Sequence, residues 1–304
     1  MKQLTRRDFL KTSAGSAGVL AASPTLLGAF EASRSASYAG TDVVSLGRTG
    51  IRVSRLAQGT GLKGGNQSSA HTRRGKAAFE RLVRHSIDEG VTFMDMADLY
   101  GSHPFLTEAL SGVSRDKIVL LSKLWPRKED WITPSGGAKR EVDRFRRELK
   151  TEHLDVCLIH CMLDEQWPTE FERIRDELSG LKEKGDVGAV GVSCHDLGAL
   201  KVAAAHPWVD VIFARINHKG GREYSCDGTA EEVASVLKTA RRNGKAVVGM
   251  KIFGEGKLVA PEEKDASLQY VLGNDLVDAM TIGFRNPGEI DDTMATIDAI
   301  LATA

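Results

Sequence analysis

The chain has 304 residues, 41% of them hydrophobic and 27% charged, and its formal net charge is zero. That balance suits a globular enzyme and argues against a disordered or membrane-spanning chain, and without a Lys/Arg stripe interleaved with aromatics it carries no electrostatic footprint for nucleic acid. The four cysteines, Cys157, Cys161, Cys194 and Cys226, form no C-x-x-C pair and no regular framework, so no disulfide scaffold and no metal site is expected of them.

Residues Thr5-Arg6-Arg7-Asp8-Phe9-Leu10-Lys11 precede a mild Ala/Gly/Ser-rich run from Thr12 to about Phe30. A twin arginine followed by Phe, Leu and Lys before a weakly apolar run is the layout of a twin-arginine export signal. The run is too short and too weakly hydrophobic for a membrane span, which needs about 20 predominantly apolar residues. Residues 1–40 are therefore expected to be a signal peptide and linker read by the twin-arginine export machinery, delivering the protein to the periplasm. An uncleaved signal would serve as an anchor. Residues 41–304 are expected to form one domain.

From Asp42, two short β-like runs, Asp42 to Gly47 and Ile51 to Leu56, flank a Gly50 turn and predict a hairpin. Short apolar runs then alternate with amphipathic segments. A strand ending at Gln58-Gly59-Thr60 precedes a helix over Gly75 to Glu89, with Phe79, Leu82, Val83 and Ile87 at helical spacing. Further strands are predicted at Thr92 to Ala97, Ile118 to Lys123, Asp155 to His160, Ala189 to Ser193, Val211 to Asn217, Ala246 to Ile252 and Met280 to Phe284, each with a helix after it. Unbroken βα alternation of about eight units predicts a (β/α)8 TIM barrel, single-domain, with an N-terminal hairpin. No G-x-G-x-x-G follows an early strand, so a dinucleotide-binding open sheet is a weak alternative.

In a barrel, chemistry sits where strands end. Those ends carry Asp95 and Tyr100, Lys123, His160 and Ser193: an acid, a phenol, an ammonium, an imidazole and a hydroxyl converging on one mouth. A nearby Lys cation is expected to lower the phenol toward neutrality, with Asp95 holding Lys123. Strand alternation sends His160 to the face opposite Cys157 and Cys161, which are expected to pack against helices.

These stretches resemble the aldo-keto reductase family: Phe93-Met94-Asp95-Met96-Ala97-Asp98-Leu99-Tyr100-Gly101, Ser122-Lys123, Leu154 to His160, Gly188 to Ser193, Leu46 to Gly50 and Ile282 to Pro287. The resemblance runs from about residue 42 to the end. It implies a catalytic tetrad of Asp95, Tyr100, Lys123 and His160. The implied reaction is hydride transfer between a nicotinamide cofactor and a small carbonyl or alcohol substrate, an aldehyde, ketone or sugar, with Tyr100 as general acid/base and His160 orienting the oxygen.

The same resemblance implies cofactor contacts at Gly59 and Thr60 by the nicotinamide ribose, Ser193, Cys194 and Asn217 by the carboxamide, and Met250 beneath the ring. It also places Lys251, Phe253 and Gly254 near the pyrophosphate, and Gly283, Arg285 and Glu289 at the adenosine end. Cys194 stands where the family has Asn, and Met250 where it has an aromatic; Glu289 stands where many members have Arg. NADP is favoured over NAD on the family's habit. The cofactor-wrapping segment Gly254 to Ala260 is short, so substrate walls are assigned to Trp125 and Trp167, with Trp131 and the loop His218 to Thr229. The alternatives are a nucleotide-binding regulatory barrel with little turnover and a metal-dependent hydrolase or isomerase using His160 and Asp95.

Overall fold

A computed structural model describes residues 39–127 and 136–303. Residues 1–38, which hold nearly all of the expected export signal, and Trp131 lie outside the described residues. Eight strands close into a parallel barrel: β3 (Leu56–Gly59), β4 (Phe93–Asp95), β5 (Val119–Leu124), β6 (Leu154–Met162), β7 (Val187–Cys194), β8 (Val211–Arg215), β9 (Ala246–Met250) and β10 (Ala279–Ile282). β10 pairs with both β3 and β9, so no strand edge is left open.

Residue alternation builds two apolar layers from the same strands. Ala57, Phe93, Leu121, Val156, Leu158, Ala189, Val211, Phe213, Val248 and Ala279 fill the barrel interior. Their neighbours, among them Leu56, Met94, Leu120, Cys157, Ile159, Val192, Ile212, Val247 and Met280, face outward into the larger cluster shared with the helices. The helices supply matching stripes. Phe79, Leu82, Val83 and Ser86 are the buried positions of helix Lys76–Asp88, at the spacing the sequence predicts. Polar caps fix where several helices begin: the Asn286 side chain accepts from the Glu289 amide, Asp196 from Ala199, and Thr229 forms a capping box with Glu232.

The hairpin, β1 (Val43–Ser45) with β2 (Arg52–Ser54), is antiparallel, and Leu46 and Val53 join the interior cluster. It therefore plugs the end where strands begin and leaves the other end as the mouth. Gly47 makes this close approach possible: at φ 49°, a Cβ there would lie 2.4 Å from the Ala246 backbone nitrogen.

One expectation about register fails. The ladder between β6 and β7 shifts between Ile159 and Met162, and Cys161 sits at the shift with φ 68°. The extra residue restores Met162, not Cys161, to the outer face. Cys157 packs outward as expected, whereas Cys161 turns to the mouth and joins Leu99, Tyr100 and Trp125.

Candidate active site

The strand ends β4, β5 and β10 meet around one buried ion pair. Lys123 Nζ donates to Asp95 Oδ1, and to the Met96 carbonyl at 2.9 Å; Thr281 Oγ1 donates to Asp95 Oδ2 at 2.9 Å. Side-chain exposure is 1% for Lys123 and 8% for Asp95, so each charge depends on the other for its solvation. The ammonium lies 5.2 Å from the centroid of the Tyr100 ring and 4.8 Å from that of Phe213, so it also has two aromatic rings as neighbours.

Tyr100 closes a short 3-10 turn, Asp98–Tyr100, that Gly101 terminates in the left-handed region. The loop after β3 lies flat against its ring. A Cβ on Gly61 would fall 2.3 Å from the ring's Cε2 and Cζ, and one on Gly64 2.6 Å from Cδ1. Two glycines are thus what lets backbone cover the phenol. The Tyr100 hydroxyl itself has no hydrogen-bond partner among the described residues.

The expected lowering of the phenol by Lys123 is corrected by this geometry. Tyr100 is held well above its ordinary value, first by burial and then by Asp95, Cys161 and Glu255. Lys123 spends its hydrogen bonds on Asp95 and Met96, and burial lowers it from the usual lysine value against the pull of Asp95. In this state Tyr100 is a neutral phenol with a proton to give.

His160 stands next along the mouth, 6% exposed. Its ring makes edge contacts with Tyr100 at 5.7 Å and Trp125 at 5.6 Å between centroids. Its Nδ1 is buried without a partner. Burial, then the charges of Lys123, His195 and Lys251, hold it well below the ordinary histidine value, so it is neutral and offers one donor and one acceptor. Trp125 is where a substrate-facing aromatic was expected. Trp167 is not: it is fully buried, ring against His206 and Trp208, with Nε1 donating to the Ala199 carbonyl at 3.3 Å. Its place on the first turn of an outer helix faces it to the neighbouring helix, away from the mouth.

On the other half of the mouth the expected cofactor residues divide. Ser193 Oγ accepts from the Cys161 amide at 2.8 Å and keeps its own proton for an acceptor. Met250 ends β9 with 9% exposure. Lys251, at φ 60°, starts a turn closed by the Gly254 amide on its carbonyl at 2.8 Å, and its ammonium pairs with Glu255 at 2.9 Å. Phe253 is partly buried beneath Lys264, 5.6 Å from the ring centroid.

Gly59 and Gly283 approach one another, a Cβ on Gly59 lying 3.1 Å from the Gly283 nitrogen. Arg285 Nε and Nη2 bind one oxygen of Glu289, at 2.8 and 2.6 Å, and its amide donates to the other at 2.7 Å; Arg74 donates to the Arg285 carbonyl. The Glu289 charge is therefore largely answered from within the chain.

Three expected contacts are internal instead. The Asn217 amide donates to the carbonyls of Tyr224 at 2.9 Å and Lys251 at 3.1 Å, and its oxygen accepts from the amides of Lys219 and Gly220. All its bonding capacity shapes the loop after β8, which leaves none for a carboxamide. Thr60 is 1% exposed, its hydroxyl within 2.8 Å of the Asp95 carbonyl and 2.9 Å of the Ser102 hydroxyl. The Cys194 side chain belongs to the outer cluster, and burial raises its thiol well above the ordinary value.

The structure also adds residues that sequence reasoning missed. Thr281 and the Met96 carbonyl complete the polar shell of the ion pair, Gly61 and Gly64 cover Tyr100, and His195 faces His160 with ring centroids 6.4 Å apart. His195 follows β7 directly, so the strand-end rule that found Ser193 would have found it one step further on. Among the described residues, the gathered metal-capable trio is His85, Glu89 and Asp291, on the barrel's outer helices and apart from Asp95 and His160.

A phenol and two imidazoles beside a buried Lys–Asp pair, at the mouth of a closed βα barrel, make a site for proton transfer, and comparison with known proteins gives its class. Residues 56–271 match the family model described as Aldo/keto reductase family. The chain belongs to that family, and with it to the NAD(P)-dependent oxidoreductases.

It is 25% identical over 317 residues to the uncharacterised oxidoreductase YrpG of Bacillus subtilis, covering 84% of this chain and 91% of that one. Among solved structures, a Pseudomonas aeruginosa barrel assigned to the aldo-keto reductases superposes with a TM-score of 0.71 at 22% identity, covering 88% of this chain and 98% of that one. An aldo/keto reductase from Klebsiella pneumoniae, solved with NADP and acetate, gives 0.60 at 19% identity over 86% and 93% of the two chains.

Proposed function

We propose that this chain transfers a hydride between NADP(H) and a small carbonyl or alcohol substrate, with Tyr100 moving the proton on the substrate oxygen. The observation that carries this reading is the Tyr100 hydroxyl: neutral, without an internal partner, and set edge-on to His160 above the Lys123–Asp95 pair. The Klebsiella relative was solved with NADP, which supports NADP here over NAD.

The residues present suit such a cofactor. Ser193 retains a hydroxyl proton, Met250 offers a polarizable thioether, and Lys251, Arg74 and Arg285 set cations along the β9–β10 side, Lys251 paired with Glu255 and Arg285 with Glu289. When bound, the reduced nicotinamide supplies the hydride. In the direction of reduction, Tyr100 gives its proton to the oxygen as the carbonyl carbon is reduced, and His160 fixes that oxygen through a neutral ring nitrogen. Lys123, held by Asp95 and the Met96 carbonyl, places a positive charge beside the phenolate that results, a stabilisation that exists only after the proton has left. The loop Gly61 to Gly64 keeps bulk water from the ring.

The test is direct. Purified protein with NADPH and a panel of small aldehydes and ketones should show substrate-dependent loss of NADPH absorbance. Tight NADPH binding with no turnover on any member would instead mark a regulatory nucleotide-binding barrel.

The Arg6-Arg7-Asp8-Phe9-Leu10-Lys11 pattern further supports export by the twin-arginine route to the periplasm, with residues 1–40 as signal and linker. No helix among the described residues is long and apolar enough to cross a membrane.

A further inference from the structure

The mouth holds a second imidazole that the proposed reaction does not use. His195 follows the end of β7, and its ring meets that of His160 edge-on, 6.4 Å between centroids at 80°. Neither ring nitrogen of either histidine has a hydrogen-bond partner among the described residues. The backbone of His195 is fixed on both sides: its amide donates to the Met162 carbonyl at 2.8 Å, and its carbonyl accepts from Arg215 Nη2 at 2.8 Å. Arg215 is in turn held by Asp227. A side chain so firmly based and yet unbonded is preorganised for a partner from outside.

We propose that His195 is a specificity residue for the reaction proposed above, selecting carbonyl substrates that carry a hydroxyl on the carbon next to the carbonyl. The four groups lie on consecutive strand ends: Tyr100 after β4, Trp125 after β5, His160 within β6 and His195 after β7. His160 thus stands between Tyr100 and His195. An oxygen held by Tyr100 and His160 has Trp125 and Leu99 as its apolar flank and His195 as its polar one. With a hydrogen-bond reach of about 2.8 Å from each ring, rings 6.4 Å apart suit two oxygens on neighbouring carbons.

The electrostatics choose a neutral hydroxyl over an anion or a cation. Burial, then Arg215, Lys251, Lys123 and Arg127, push His195 down to about 3, so it remains uncharged and can both donate and accept. The cations beside it are answered within the chain: Arg215 by Asp227, Lys251 by Glu255, Lys123 by Asp95 and Arg127 by Glu170. A substrate carboxylate would find no uncompensated charge there. A hydroxyl needs only the ring.

The experiment compares lactaldehyde with propanal, which differ by that one hydroxyl, using NADPH and three proteins: wild type, His195→Phe and His195→Gln. His195→Phe keeps the aromatic volume and removes both ring nitrogens; His195→Gln keeps a donor and an acceptor. The expected result is a loss of about tenfold in kcat/KM for lactaldehyde in His195→Phe, with propanal nearly unchanged and His195→Gln recovering part of the loss. Propanal turnover in the same preparations reports that each variant is folded and chemically competent. Equal losses on both aldehydes, or no loss on lactaldehyde in either variant, overturn the proposal while leaving the reductase reading intact. A wild type that binds NADPH but reduces neither aldehyde overturns both.

Discussion

Tyr100 owes its chemistry to where its neighbours spend their hydrogen bonds. Lys123 is close enough to favour a phenolate, but its ammonium is committed to Asp95 and the Met96 carbonyl, so burial decides and the phenol keeps its proton. The sign follows: a phenol raised above its ordinary value of about 10 is fully protonated across the neutral range and ionises only above it. In the free protein, the tyrosinate absorbance of wild type minus Tyr100→Phe should therefore stay at zero up to pH 10. A difference signal appearing near pH 8 would mean that the Lys123 charge outweighs burial.

At this scale the sequence shows Asp95, Tyr100, Lys123 and His160 plainly, since three of them stand near the ends of apolar strands and Tyr100 stands in the turn just after one. It does not show Thr281 or the Met96 carbonyl, whose roles depend on how β10 and β4 meet around the ring of strands. Nor does it show that Asn217 is already saturated, because its four partners are backbone groups of its own and a neighbouring loop.

Among the elements, two local departures from regularity shape the mouth. The bulge in β6 breaks the period of two after His160 and turns Cys161 inward at φ 68°, which alternation alone cannot foresee. The loop after β8 is the other. Asn217 ties it to Lys251 on the next loop and also satisfies two buried or half-buried amides, so Asn217→Ala removes four hydrogen bonds at once. Leaving those groups unpaired should cost about 2–4 kcal/mol, read as a lower denaturant midpoint at unchanged slope. A change below about 0.5 kcal/mol, the scale of an ordinary surface substitution, would show that the loop does not depend on Asn217. The strands and helices themselves were legible to within a few residues, because hydrophobic period and turn residues agree throughout. Trp167 was misplaced because the residues after a strand can open a helix that packs outward as readily as they can line the mouth.

For the molecule as a whole, the hairpin plug and closed barrel leave one end for chemistry, and every residue of the proposed reaction sits there. The barrel was readable from its βα count, whereas the cofactor half of the site was not, since its contacts rest on loops of irregular backbone. Export is the other proposal at this scale. If Arg6 and Arg7 direct the folded enzyme outward, changing both to Lys should leave active enzyme in the cytoplasmic fraction and deplete the periplasm, whereas unchanged periplasmic activity would refute twin-arginine export.

Whether Tyr100 supplies the proton is tested most directly by kcat for NADPH-dependent carbonyl reduction by Tyr100→Phe alongside its Kd for NADPH. Loss of a general acid should lower kcat by about 100-fold or more, while Kd should stay near the wild-type value if the hydroxyl acts on the substrate oxygen as proposed. A variant that retains kcat close to wild type would show that the proton comes from elsewhere.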